Sequence, residues 1–95
     1  MIAENPNCEE WHFLGRQEWD RWSKEECENQ EHRSAVLSFL EQLEADPLLV
    51  PSTPVGQGFA GRFYHFIDMV PVVVTWLLAP EICVVTLVRI EYIPR

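Results

Sequence analysis

The sequence has little positive charge. Its 95 residues contain 15 aspartates and glutamates against 7 lysines and arginines, a net charge of −8 at neutral pH. Residues 1–46 hold 12 of the acids and 4 of the bases, so residues 47–95 are neutral with three of each. Because proteins bind nucleic acid largely through lysines and arginines that neutralise phosphates, this balance argues against a nucleic-acid partner. An acidic surface for a basic protein, or a solvated helical face rich in glutamate, fits it better.

Cysteine is also scarce. Cys8, Cys27 and Cys83 are an odd number at irregular spacing, which is not the pattern of a disulfide framework. The N-terminal residues MIAENPNCEEW have neither the basic start nor the apolar run of a signal peptide. We therefore expect reduced thiols in a single cytoplasmic domain, residues 1–95, with an acidic helical half (1–46), a loop (47–61) and a β-sheet half (62–95).

Neither a metal nor a cofactor is predicted. Cys8 with His12, and Cys27 with His32, are mixed pairs, whereas a structural zinc site usually joins two cysteines that are close together with two close histidines. The segment GQGFAG, residues 56–61, matches the G-x-G-x-x-G spacing of dinucleotide-binding loops. Such a loop follows a strand and opens a helix, but here a proline-rich segment precedes and the strand-like RFYHFI follows.

One long run, Val70 to Tyr92 (VPVVVTWLLAPEICVVTLVRIEY), has almost no charge. About 20 apolar residues can cross a bilayer. However, Pro80 and Glu81 lie at its middle, where a proline would kink a helix and a carboxylate in lipid would be costly. The flanking valines favour a pleated sheet. We predict a β-hairpin with arms Val72–Leu78 and Ile82–Tyr92, and no membrane span.

Both arms are apolar at consecutive positions, which is typical of strands covered on both faces. The segment RSAVLSFLEQLEADP can supply a cover, because its apolar residues follow the spacing of one helix face. These residues are Val36, Phe39, Leu40 and Leu43. Asp46-Pro47 is expected to end this helix.

Upstream, RQEWDRWSKEECENQEH also suits a helix, so the acidic half is one long helix or a helix hairpin. Residues 10–14, EWHFL, are predicted to form a short strand that adds to the sheet. The expected fold class is therefore α+β: two layers, with an N-terminal helix or helix hairpin packed on an antiparallel β-sheet.

The sheet half carries few residues suited to acid-base chemistry or phosphate binding. The candidates are Arg62, His65, Arg89 and Tyr92. Strand alternation places Arg62, Tyr64 and Phe66 on one face, and His65 on the other. In the last strand it places Val88, Ile90 and Tyr92 on one face. Arg89 and Glu91 take the opposite face. Polar residues at strand ends commonly meet only water, and no Ser-His-Asp or paired-carboxylate arrangement follows from this spacing.

The helix AVLSFLEQLEADP, a glycine-containing loop and then GRFYHFIDMVPVVVTWLLAPEICVVTLVRIEY form a familiar order over about residues 34–92. This order resembles the RelE/ParE superfamily of bacterial toxin-antitoxin modules. In that family a short first strand and one or two helices pack on an antiparallel sheet. Its last strands carry consecutive valines and end near an arginine. The resemblance thus implies a RelE/ParE-like fold.

Two kinds of action occur in this family. Its ribosome-dependent nucleases place an arginine at the start of the penultimate strand and further basic residues at the end of the last. This sequence has Val70-Pro71-Val72 at the first place, and Glu91 lies between Arg89 and Tyr92 at the second. The ParE-like branch shares the fold but binds a protein target, DNA gyrase, and is held inactive by an antitoxin peptide. The resemblance therefore favours a toxin-like protein that acts by protein binding over an enzyme that cleaves RNA.

Two other functions remain as alternatives. One is a small acidic binding protein, such as a phage-type inhibitor that presents carboxylates to a nucleic-acid-binding protein. The other is a ribosome-dependent mRNA endonuclease, in which Arg62, His65, Arg89 and Tyr92 would hold phosphate and move protons. The expected partner is a protein, either an antitoxin peptide or the target, with a homodimer as a further alternative.

Two partner-binding surfaces are predicted: an unpaired edge of the sheet, where an extended peptide can add as a strand, and the acidic segment Glu18–Glu31. Trp19 and Trp22 would be its aromatic anchors among charges such as Glu25 and Glu26. The competing interpretation is that both rings belong to the core, because aromatic residues at helical spacing usually face inward.

Overall fold

The architecture follows from a computed structural model, which describes residues 8–56 and 61–94. These residues form two helices and five strands: β1 (His12–Leu14), α1 (Arg16–Glu25), α2 (Gln30–Ala45), β2 (Thr53–Pro54), β3 (Arg62–Phe66), β4 (Val72–Ala79) and β5 (Val84–Tyr92). The strands form one sheet in the order β1-β5-β4-β3-β2. β1 pairs parallel with β5, and the other neighbours are antiparallel. The predicted two-layer α+β fold is confirmed.

The apolar run forms the predicted hairpin. β4 and β5 pair from Val72 opposite Tyr92 to Ala79 opposite Val84. A short 3-10 turn, Pro80–Ile82, connects them. Proline suits this first turn because its fixed φ matches a helical start and it needs no N–H partner there. None of the helices in the described part of the chain is long and apolar enough to cross a membrane.

A β-bulge interrupts the alternation of β5. Arg89 pairs with Thr75, whereas Leu87 pairs with the next residue of β4, so Val88 is an extra residue. Leu87 and Ile90 are three residues apart and yet both are buried. The prediction that Val88 shares a face with Ile90 is therefore wrong, because a bulge shifts the phase of a strand by one residue.

The acidic half folds as a helix hairpin, one of the two forms that the sequence allowed. α1 ends at Glu25 and α2 begins after Asn29, whose side chain accepts a hydrogen bond from the backbone N–H of His32 at 2.9 Å. This N-cap supplies one of the partners that the first turn of a helix lacks. The predicted apolar face of α2 is buried on the sheet. Together with other elements it forms the core: Trp22, Val36, Phe39, Leu40, Leu43, Val50, Ile67, Val72, Val74, Trp76, Val85, Leu87 and Ile90.

α1 is held close to β5. Gly15, at the turn between β1 and α1, has a φ of 88°, and a Cβ there would lie 2.2 Å from the carbonyl oxygen of Leu87. β1 pairs with β5 only as far as Thr86. Beyond it, Glu18 accepts a hydrogen bond from the backbone N–H of Ile90 at 2.8 Å, and Arg21 donates one to its carbonyl oxygen at 3.2 Å. These side chains cover a strand edge that would otherwise be open.

Two of the three cysteines are oxidised, which the sequence did not predict. Cys8 and Cys83 form a disulfide, so the prediction of reduced thiols is wrong for these two. Cys27 is a free thiol. The parallel pairing of β1 with β5 explains the contact: the backbone N–H of His12 donates to the carbonyl oxygen of Cys83 at 2.9 Å. This pairing brings together two residues that are 75 positions apart, a proximity that spacing along the chain does not reveal.

The predicted loop, residues 47–61, contains the short strand β2. Thr53 and Pro54 pair with Tyr64 and Phe63 at the edge of the sheet. A proline is tolerated at this position because an edge strand can dispense with an N–H donor. Of the GQGFAG segment, residues 57–60 lie outside the described residues.

Candidate functional site

The four candidate catalytic residues lie on two different faces of the sheet. One face packs against the helices, and the other, which we call the open face, lies opposite. Register places Tyr64, Thr75 and Arg89 in one row across three strands. Arg62 lies two residues before Tyr64 on β3 and therefore shares its face. The open face thus carries both arginines of the set.

His65 lies on the helix-covered face. Its ring stacks on that of Phe39 from α2, with centroids 5.0 Å apart and planes at 22°. In the sheet it pairs with the buried Val74. Burial lowers the pKa of His65 from its usual value of 6.5, and the nearby charge of Asp68 opposes that shift. The imidazole is consequently neutral at pH 7 and separated from both arginines by the sheet.

Acid should therefore weaken the fold through His65. Its pKa is lower in the folded protein than in the unfolded chain, so below pH 6.5 the unfolded chain binds the extra proton first. The free energy of unfolding should be greatest above that pH. This free energy should fall as the pH drops towards the pKa of His65 in the folded protein. Below that pKa, His65 should cause no further loss of stability. Urea unfolding at about pH 7.5 and about pH 5 would measure the loss.

The His65→Phe variant is the matched control, because it keeps a ring on Phe39 and removes the titration. The loss of stability between the two pH values should be smaller in this variant than in the parent protein. An equal loss in both would assign the acid sensitivity to other groups.

Tyr92 also lies on the helix-covered face, where it joins the end of β5 to the turn between the helices. Its hydroxyl oxygen accepts a hydrogen bond from the backbone N–H of Glu28 at 2.7 Å and lies 2.8 Å from Nδ1 of His32. Its ring contacts Trp22, with centroids 5.6 Å apart. Burial raises the pKa of Tyr92. The Tyr92 hydroxyl therefore serves as a structural contact between the sheet and the helix hairpin.

Arg89 has a carboxylate close by on the open face. Its Nε lies 3.8 Å from Oε1 of Glu91, and both side chains are about half exposed, at 50% and 46%. Arg62 and Arg89 are the only lysine or arginine residues in the five described strands. The rest of the open face includes exposed apolar side chains, among them Leu14, Phe66 and Leu77.

Of the two predicted aromatic anchors, one is a core residue and the other is only partly buried. Trp22 is completely buried, so its assignment as a partner-binding residue is wrong and the core interpretation applies. Trp19 is only partly buried. At the end of the same helix, Glu25 is exposed, whereas Glu26 forms an ion pair with Arg21.

Trp19 lines a groove between α1 and α2 that the sequence analysis missed. The groove has a volume of about 170 Å³ and is lined by Phe13, Arg16, Trp19, Leu37, Leu40, Glu41 and Glu44. Arg16 lies over the ring of Phe13, 5.1 Å from its centroid, and forms an ion pair with Glu44. The helical spacing of Leu37 and Leu40 was available from the sequence. The approach of Phe13 from β1 was not, because it depends on the parallel strand pairing.

Metal ligands do not cluster in the described part of the chain. Residues 8–56 and 61–94 contain no group of three or more histidines, cysteines, aspartates or glutamates that could hold a metal ion. Cys8, half of one suggested zinc pair, is bound to Cys83.

The fold, a helix hairpin on one face of a sheet whose last two strands form a long hairpin, is similar to that of solved toxin structures. The isolated RelE toxin of Escherichia coli superposes with a TM-score of 0.68 over 90% of this chain and 86% of the toxin, at 12% sequence identity. The RelBE2 toxin-antitoxin complex of Mycobacterium tuberculosis gives 0.55, over 87% of this chain and 88% of that chain at 19% identity.

A conserved hypothetical protein of Helicobacter pylori is also similar, with a TM-score of 0.50 and 9% identity over 86% of this chain and 93% of its own. No protein-family model matches the sequence, and no curated protein matches it. The chain therefore has a RelE-like fold, established from structure and not from sequence identity.

Proposed function

We propose that this protein is the toxin-like component of a bacterial toxin-antitoxin module and acts in the cytoplasm by binding a protein, as ParE-like toxins do. Two findings support the module assignment: the RelE-like fold, which spans 90% of the chain, and the similarity to a chain of a toxin-antitoxin complex. The preference for protein binding rests on one observation, the division of the four candidate catalytic residues between opposite faces of the sheet.

RNA cleavage would need cationic groups that converge on one phosphate and stabilise the charge that builds there. The open face offers Arg62 and Arg89, and Glu91 lies 3.8 Å from the second. His65 and Tyr92, the groups suited to proton transfer, lie beneath the sheet against the helices. A phosphate on the open face could therefore not reach all four side chains.

We assign the partner surface to the groove between α1 and α2. Its apolar floor and walls include the partly buried Trp19 and the exposed Leu37, an arrangement suited to an aromatic or aliphatic anchor. Glu41 adds negative charge at the rim, where Arg16 already pairs with Glu44. The partner that fits is a basic peptide segment with apolar anchors, for which an antitoxin peptide is the simplest source.

Expression in a bacterial host tests this function. We expect growth arrest without codon-positioned cuts in messenger RNA, as judged by primer extension, and inhibition of DNA supercoiling when the purified protein is added to gyrase. Arg89→Ala should leave the arrest unchanged, because no phosphate contact is lost. Cuts positioned at codons, and their loss in Arg89→Ala, would overturn the proposal in favour of a nuclease.

The groove assignment has its own pair of variants. Leu37→Glu places a charge on the apolar wall and should weaken partner binding about 30-fold or more, the scale of a hot-spot residue. Leu48→Glu is the matched control, since Leu48 is also exposed but does not line the groove. Equal binding by both variants would remove the groove from the interface.

A further inference from the structure

A second cleft lies on another side of α2, between that helix and the end of β3. Its volume is about 260 Å³. Apolar residues form part of its lining: Ala35, Phe39, Pro51 and Ile67. Polar side chains line the remainder: Ser38, Gln42, His65 and Asp68. None of these residues belongs to the groove between the helices or to the open face of the sheet.

The polar lining has unused hydrogen-bonding capacity. Within residues 8–56 and 61–94, none of these four side chains takes part in a hydrogen bond or an ion pair. Ser38, Gln42 and Asp68 are exposed, whereas His65 is partly buried against Phe39. A concave surface with a few convergent polar groups is the usual form of a small-ligand site.

The charge of the cleft selects the ligand. Among the described lining residues Asp68 is the one acidic side chain, and burial lowers the pKa of His65, so that this imidazole adds no positive charge at pH 7. None of the described lining residues is a lysine or an arginine, so an anion would find no counter-charge among them. A single carboxylate with a single imidazole is also a poor metal site, since hard or borderline cations require more protein ligands.

We propose that this cleft binds an organic cation, a guanidinium or primary ammonium group carried on a short apolar stem. The carboxylate of Asp68 accepts charge-assisted hydrogen bonds from the cation. The oxygens of Ser38 and Gln42 accept further N–H donors, and the stem lies against Ile67 and Pro51. This site does not depend on the proposed toxin function. The cation could come from a lysine or arginine side chain of a bound protein or from a free small molecule.

Titrations followed by amide and aromatic NMR shifts test the site with three probes. N-acetyl-arginine methylamide represents a peptide side chain, and propylguanidine represents a free cation. N-acetyl-citrulline methylamide has nearly the same shape as the first probe without its charge. We expect saturable shifts at Phe39, His65 and Asp68 with one or both cations, and none with citrulline. Tighter binding of the arginine derivative would indicate a peptide source, and binding of propylguanidine alone would indicate a free ligand.

Two variants complete the design. Asp68→Asn should weaken binding of the cation about tenfold. Asp20→Asn, which removes an exposed carboxylate from α1, should leave it unchanged. Because Asp68 is exposed, its amide variant should fold, and the dispersion of the amide spectrum verifies this. Equal shifts with the citrulline derivative, no shifts with either cation, or undiminished binding by Asp68→Asn would each overturn the proposal.

Discussion

Trp22→Ala is expected to destabilise the protein by about 3–5 kcal/mol, the range for removing a large buried aromatic side chain. Trp22 is completely buried between α1 and the sheet, and its ring contacts those of Trp19 and Tyr92. A small domain has only about 5–15 kcal/mol of stability in total, so this loss is a large fraction of it. Urea unfolding of the parent and the variant would measure the difference.

Two further variants refine this expectation. Trp19→Ala should cost clearly less than Trp22→Ala, because Trp19 is only partly buried. Trp22→Phe should also cost less, because it keeps a ring and removes the buried indole N–H, which has no hydrogen-bond partner in the described structure. A small effect of Trp22→Ala combined with a large loss of partner binding would instead make this ring an interface anchor.

Breaking the Cys8–Cys83 disulfide is expected to lower stability by about 4 kcal/mol, from the chain entropy of a cross-link over so long a loop. The two cysteines are 75 positions apart in a chain of 95 residues, so the link restrains most of the unfolded chain. For a domain of this size such a loss corresponds to a fall in melting temperature of roughly 20 °C. Thermal unfolding with and without a dithiol reductant would show it.

The cysteine variants distinguish this cross-link from other effects of the reductant. The double variant Cys8→Ser/Cys83→Ser should melt at the temperature of the reduced parent and should not respond to reductant. Cys27→Ser keeps the disulfide and removes the free thiol, so it should retain the full response. A parent protein whose melting temperature is the same in both conditions would contradict the stabilising role of the link.

The elements that the sequence predicted correctly are those whose structure depends on residues close together in the chain. The valine-rich arms on either side of Pro80 favour strands, and the proline-containing turn between them favours a hairpin over a membrane helix. The apolar residues of α2 recur at one helix face, which is why its core side was predictable. The order of these elements was enough to indicate a RelE/ParE-like fold, and the superposition on the RelE toxin confirms that fold.

Long-range pairing decided the rest. Parallel pairing of β1 with β5 joins Cys8 to Cys83 and brings Phe13 into the groove, and neither contact has a signature in neighbouring residues. The bulge at Val88 shifts β5 by one residue. By itself the sequence determined the core-facing helix α2, the hairpin and the acidic charge, because these depend on local preference and composition. Strand alternation already separated His65 from Arg62, but only the tertiary structure decided that the helices cover the face of His65 and that Arg89 shares the face of Arg62, because both depend on strand register and on the elements that pack on the sheet.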